Sequence, residues 1–195
     1  MATYKSIAYS PLSAGGSQVL LSTFTSDGSD ASASFDSSLI TSTYNEYLFI
    51  FASIHPETTG NWMFNGSIDN GSNYNVTKTT THFNSGQKED TSSTGVYYMA
   101  GQDLAQGTGY VDLHHDGTGA DADQCNSGWV SLFNPSSTTF VKHFLTQASA
   151  STAGNSSVHS FVEGYFNTTS AINNIQFKFA CDEIQAGTIK LYGVI

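Results

Sequence analysis

Tyr44-Asn45-Glu46-Tyr47-Leu48-Phe49-Ile50-Phe51-Ala52-Ser53-Ile54-His55-Pro56 is the stretch that decides the fold class. It turns apolar at Tyr44 and stays so to Ile54. His55-Pro56 ends it, because proline has no N–H to give to a ladder. The run is rich in aromatic and β-branched residues, carries no helical period, and reads as a buried central strand. Working outward, similar short runs lie at Gln18–Thr25, Trp62–Ile68, Val76–Phe83, Val96–Met99, Trp129–Phe133, Thr139–Gln147, His159–Phe166, Ile172–Ala180 and Thr188–Ile195. Each is bounded by Gly, Asn, Asp, Ser or Pro, the residues that turn a chain. About ten short strands with no helix between them predict an all-β, single-domain antiparallel β-sandwich, and the long connections favour Greek-key topology of the jelly-roll kind.

Composition supports this reading. The chain has 195 residues, 38% of them hydrophobic and 13% aromatic, which is enough to close one core, and no linker divides it. Residues 1–195 are therefore read as one sandwich domain. Charged residues make up only 11%, so Ser, Thr, Asn and Gly must build the surface, and the good helix formers are scarce. Two Gly/Ser/Asp-rich stretches, Ser26–Ser38 and Gln102–Asp123, read as surface loops. No repeat of 20 to 50 residues and no heptad is present, so an oligomer would form through sandwich faces and not through a coiled-coil stalk.

Six Lys plus Arg against sixteen Asp plus Glu give a formal net charge of −10, which repels phosphate backbones. No nucleic-acid partner is expected. Met1-Ala2-Thr3-Tyr4-Lys5 does not open a basic-then-apolar leader, and no apolar run approaches ~20 residues, so no membrane or secretion segment is expected. Cys125 and Cys181 fit no metal-finger spacing and read as free thiols. The triplets at Asn65, Asn70, Asn75, Asn155 and Asn167 match the glycosylation pattern, but a chain rich in Asn, Ser and Thr produces such triplets by composition.

For chemistry, Asp112, His114 and Asp116 would share one face if the strand alternation ran through them, and Asp121 and Asp123 follow closely. The spacing is neither that of an EF-hand nor of a zinc helix, so the segment reads as a polar loop and no metal or cofactor is expected. Glu46, Asp69 and Glu163 are carboxylates on or near strands, but the sequence does not pair them, and GxSxG is absent. His143 and His159 fall in strands, where a structural role is the simpler reading. The expectation is a protein that is not an enzyme and has no catalytic residues. Trp62, Tyr74, Tyr97, Tyr98 and Tyr110, near loops or strand ends, are the candidate platforms for stacking sugar rings, set against the plainer role of filling the core.

Three segments carry a family resemblance: Leu132–Phe144, Gly164–Phe179 and the ending Gly187–Ile195. Together with Tyr44–Pro56 they resemble a group of virion proteins of marine tailed bacteriophages, including those that infect cyanobacteria. The resemblance covers most of the chain from Tyr44 onward and omits the first forty residues and Gln102–Asp123. It implies a jelly-roll structural or fibre-like protein of the virion, made in the host cytoplasm, and it carries over no catalytic residue. The expected role is capsid decoration, cement or short head fibre, the alternative being a tail-fibre, adaptor or baseplate component that touches a host surface glycan. Partners would be other virion proteins and further copies of the chain, a trimer being favoured. The polar start, residues 1–16, with Ala2, Tyr4, Ile7 and Tyr9, reads as an attachment arm.

Overall fold

The computed structural model describes residues 17–195, so the proposed arm with Ala2, Tyr4, Ile7 and Tyr9 lies outside the described residues. The described chain is all strand, turn and loop. In order the strands are β1 (Gln18–Thr25), β2 (Ala33–Phe35), β3 (Glu46–Pro56), β4 (Trp62–Ser67), β5 (Lys78–Lys88), β6 (Thr94–Tyr98), β7 (Val111–Asp112), β8 (Asn126–Phe133), β9 (Lys142–Thr152), β10 (Ser156–Phe166), β11 (Asn174–Phe179) and β12 (Ile184–Val194). They form an antiparallel β-sandwich of two sheets, one ordered β1-β12-β3-β8-β9-β10-β5-β6 and the other β2-β11-β4-β7.

With the hairpins β5–β6 and β9–β10 set aside, each sheet has four strands, β1-β12-β3-β8 and β2-β11-β4-β7. The chain then crosses between the layers at every step except β4 to β7. The two extra hairpins lengthen one sheet only, so it overhangs its partner. Between the overlapping parts lies an aromatic core. Trp62 stacks on Phe177 with centroids 5.8 Å apart, Phe35 meets Phe49 edge-on at 5.3 Å, and Phe64 meets Phe144 at 5.1 Å. Burying each such ring contributes roughly 1.5–3 kcal/mol.

The strand of Tyr44–Ile54 is found at the centre of the fold, with two corrections. It runs from Glu46 through Pro56, which pairs with Ile184 at the strand end where a missing N–H is tolerated. Only one of its faces is covered: Tyr47, Phe49, Phe51 and Ile54 point inward, whereas Leu48, Ile50 and Ala52 are on the open face. Near Ser53 the pairing with β12 shifts register opposite Gly187. Gly187 has φ +122°, and a Cβ there would lie 2.7–2.8 Å from Ile54 and the Ser53 carbonyl, so the bulge admits only glycine.

Both stretches read as surface loops contribute to the body. Ser26–Ser38 contains β2, whose Phe35 is buried in the core, so the sandwich begins well before Tyr44. Gln102–Asp123 is the seam between the sheets. It first runs along the free edge of β5, where Thr80 N–H donates to the Leu104 carbonyl (2.9 Å) and Lys78 exchanges two bonds with Gly107 (2.7 and 3.0 Å). It then supplies β7 to the smaller sheet, and finally Thr118 exchanges bonds with Gly60 (2.9 and 3.1 Å). Leu113, His114 and Thr118 are fully buried along this path.

Candidate functional site

The interior changes chemistry along the larger sheet. Where the smaller sheet covers it, the inner face is Phe, Leu and Ile. Under the overhang the inner face carries His82 and Asn84 on β5, Ser160 on β10, and Thr146 and Thr152 on β9, all buried. The seam segment closes over them with His114 and Thr118. His114 Nε2 accepts from the Trp62 backbone N–H (3.2 Å) and lies 2.8 Å from Thr118 Oγ1, and its Nδ1 faces the His115 carbonyl at 3.3 Å. That set of partners requires the neutral ring with its proton on Nδ1. Burial pushes His114 down to about 4 from an ordinary 6.5. His82 falls to about 4 as well, first by burial and then by its neighbour His115, with Asp103 opposing.

At the far end of the overhang this polar interior opens into a cleft of about 410 Å³. Asn84, Gly86 and Val158 line it from β5 and β10, and Lys88 and Ser156 stand at its mouth end of the same strands. Tyr97, Tyr98 and Met99 line it from β6 and beyond, and His115 and Asp116 come from the seam. The Asn84 side chain is 4% exposed and its Oδ1 has no protein partner; the buried Nδ1 of His115 has none either. Tyr97 sits opposite Asn84 in the hairpin register and lies across Gly95, where a Cβ would come within 2.5 Å of the Tyr97 hydroxyl. The missing side chain is therefore what lets the ring lie down on the strand. Tyr98 is held by its hydroxyl, which donates to Asp103 Oδ2, and His115 Nε2 is 2.9 Å from Asp116 Oδ1. Tyr97 and Tyr98 remain 45% and 64% exposed.

Of the five aromatics expected to offer stacking platforms, only Tyr97 and Tyr98 border the cleft, and as neighbours on β6 they project to opposite faces, Tyr97 with Asn84 and Tyr98 with Phe83. Trp62 is a correction: it is completely buried between Phe51, Phe177 and Phe179, because β4 is an interior strand of the covered sheet. Tyr110 is half-buried on the other sheet, where its hydroxyl donates to Gln176 Oε1 and Lys178 Nζ sits 5.2 Å from its ring centroid. Tyr74 is half-buried in the β4–β5 connection, and neither ring lines the cleft. Comparison of the chain with protein-family models, with curated proteins and with solved structures finds no match.

The acidic segment does not assemble as alternation suggested. β7 ends at Asp112, so the two-residue period stops there. Asp112 accepts from Asn61 Nδ2 (3.1 Å), His114 turns into the core, and Asp116 is exposed at φ +73°. Among the described residues no group of three His, Cys, Asp or Glu side chains is placed to hold a metal ion. Of the carboxylates considered for hydrolysis, Asp69 caps its own turn through Ser67 and Asn73. Glu46 and Glu163 share the open face of the larger sheet but stand three strands apart, roughly 14 Å, wider than the ~5–10 Å of a glycosidase pair. Cys125 and Cys181 are both free thiols.

The other feature of note is that open face; the sequence alone points to association through a sandwich face without specifying which one. Ile50, Trp129, Gln147, Phe161, Phe83 and Tyr98 are successive cross-strand partners over β3, β8, β9, β10, β5 and β6. Phe83 stacks on Phe161 at 4.9 Å and 12°, and His159 stacks on Phe161 at 4.5 Å. Beside this row Leu48, Ile50, Trp129, Phe133 and Leu145 line a shallow groove of about 320 Å³. Phe83 and Leu145 are 44% and 41% exposed. Monomeric proteins seldom leave a contiguous apolar band of this extent in water.

Proposed function

We propose that the chain is a non-enzymatic structural protein of a tailed-phage particle, serving as capsid decoration, cement or short head fibre, and that it assembles through the open face of its larger sheet. The observation that carries this reading is the row across six strands, four of its six residues aromatic, which no described residue covers. The occupant is a second copy of the chain. At a formal net charge of −10, copies repel one another over most of their surface, whereas this face carries Glu46 and Glu163 balanced in part by Lys190. Stacking two such bands removes apolar area without burying an excess of charge.

Two further observations support the reading. The strand order, with the extra hairpins set aside, is that expected of a jelly roll, a body common in virion proteins. The segments that carry the phage resemblance fall on the β8–β9 connection within the larger sheet, on β10 through β11, which crosses between the layers, and on β12. The cleft with Tyr97 and Tyr98 favours the second reading, a tail-fibre, adaptor or baseplate component that touches a host glycan, and both readings share the same assembled body.

Light scattering with sedimentation tests the assembly. The wild-type chain is expected as a closed oligomer, a trimer for preference, and Phe161→Glu with Trp129→Glu as a monomer with unchanged β-type circular dichroism. A wild-type monomer at high concentration overturns self-association through this face. Detection of the chain in gradient-purified particles made by the genome that encodes it tests the virion role, and its absence from such particles overturns that role.

A further inference from the structure

The geometry points to the cleft between the β5–β6 hairpin and the His115–Asp116 segment as a binding site for a short neutral saccharide, one or two hexose rings long. The inference goes beyond structural assembly and does not depend on it, because Asn84 and Tyr97 face the inner side of the hairpin, whereas the row of Phe83 and Phe161 lies on the outer side and meets the cleft only at its rim, at Tyr98.

The volume, about 410 Å³, is at the small end of the ~300–1,000 Å³ typical of small-molecule sites. Its walls combine two kinds of surface. Tyr97 offers a ring face to the C–H face of a sugar and is fixed in advance by Gly95 beneath it, while Tyr98 borders the rim with its hydroxyl tied to Asp103. Around them stand groups that match hydroxyls as donors and acceptors: the Asn84 amide, the Ser93 and Ser156 hydroxyls, and the Asp116 carboxylate. The buried Asn84 oxygen, without a protein partner, is the decisive one. A buried acceptor left unpaired costs about 1–3 kcal/mol, and a ligand hydroxyl reaching the cleft floor removes that cost.

Charge selects among polar ligands. Lys88 is the lone Lys or Arg of the cleft and it is balanced by Asp116, within a chain of net −10. An anionic sugar or a phosphate would meet repulsion and no cluster of cations, whereas a neutral polyol meets paired donors and acceptors at no such cost.

The test is a heteronuclear NMR titration of the full chain with cellobiose, maltose, lactose and N,N′-diacetylchitobiose, and with glucuronic acid as the anionic comparison, each to tens of millimolar. The expected result is saturable binding of at least one neutral disaccharide with millimolar affinity, with shifts concentrated on the Tyr97 and Tyr98 rings and the Asn84 side-chain amide. Tyr97→Ala and Asn84→Ala each weaken it tenfold or more without lowering the melting temperature, and Tyr97→Leu does the same should the alanine variant unfold. Tyr110→Leu leaves binding as it was. The inference is overturned by the absence of saturable shifts with every neutral sugar, by shifts centred on Trp129 and Phe161 in place of the cleft, by tighter binding of glucuronic acid, or by cleft variants that bind like wild type. None of these outcomes alters the oligomer mass, so failure here and failure of the assembly reading are separable.

Discussion

Acid should loosen this protein well above the pH at which carboxylates titrate, and the reason lies in two buried histidines. His82 and His114 are both pushed down to about 4 from 6.5, chiefly by burial. The unfolded chain therefore takes up these protons more readily than the folded one, so stability is whole above about pH 6.5 and falls as the pH drops toward 4. Each histidine is shifted by roughly 2.5 pH units, which at 1.36 kcal/mol per unit corresponds to about 3 kcal/mol. Two of them are comparable with the lower end of a typical 5–15 kcal/mol stability. Protonating His114 also sets a new N–H against the Trp62 N–H it now accepts from. His82 has no partner for either nitrogen and Asp103 alone to favour its charge, against His115. The assay is urea unfolding at stepped pH between about 7 and 4.5. The expected slope approaches 2.7 kcal/mol per pH unit in the steepest part, the value for two protons. His82→Phe, which replaces the ring without its titratable nitrogens, should roughly halve that slope while costing little at neutral pH. A stability that stays level down to about pH 4.5 would refute the reasoning, and so would a slope unaffected by the substitution. The exposed Asp27, Asp36, Asp69 and Asp90 cannot mimic the effect. Their carboxyls are lowered by hydrogen bonds from neighbouring Ser and Asn, so the stability they contribute is lost only at lower pH.

Three further outcomes follow from the same structure. Lys78 is buried, donates to Asn65 Oδ1 (2.7 Å) and the Val76 carbonyl (2.6 Å), and is lowered to about 7 by burial. Stability should accordingly rise with pH above 7 by up to about 1.4 kcal/mol per unit, and Lys78→Met should flatten urea unfolding between about pH 7.5 and 9. Trp62→Ala should cost about 3–5 kcal/mol, because the cavity it leaves is walled by Phe51, Phe177 and Phe179; thermal melts would show it, and a loss under 1 kcal/mol would contradict the packing. Removing Leu191–Ile195 should unfold the chain by taking the buried Leu191 and the C-terminal end of β12, which pairs with both β1 and β3, whereas the sequence reading of residues 1–16 as an arm expects removal of Ala2–Ser10 to leave a folded protein that no longer joins particles; circular dichroism and particle binding read the two results.

What was legible in the sequence follows from range. The long strands β5, β9 and β10 are legible through their apolar and β-branched residues, at Val76–Phe83, Thr139–Gln147 and His159–Phe166, but their small or polar ends, such as Asn84–Lys88 and Ala148–Thr152, carry no clear apolar period and are missed. β2 and β7 are three and two residues long, too short to show a period, and they exist because β11 and β4 offer them an edge. The same limit governs the aromatics. Trp62 and Trp129 sit in similar apolar runs, yet one is walled in by the second sheet and the other lies on a face that no described residue covers. On β5 the choice is finer still. His82 and Asn84 alternate with Phe83, and hydropathy alone would turn Phe83 inward. The register is reversed because the seam segment, which carries Leu104, His114 and Thr118, crosses the polar side and bonds there to the β5 edge at Thr80 and Lys78. The strand thus gives its polar residues to the interior and its phenylalanine to the open face. One crossing of the chain therefore creates both features on which the functional proposals rest. It roofs the cleft that holds Asn84 beside Tyr97, and it leaves Phe83 to join Phe161 and Trp129 in the row that awaits a partner.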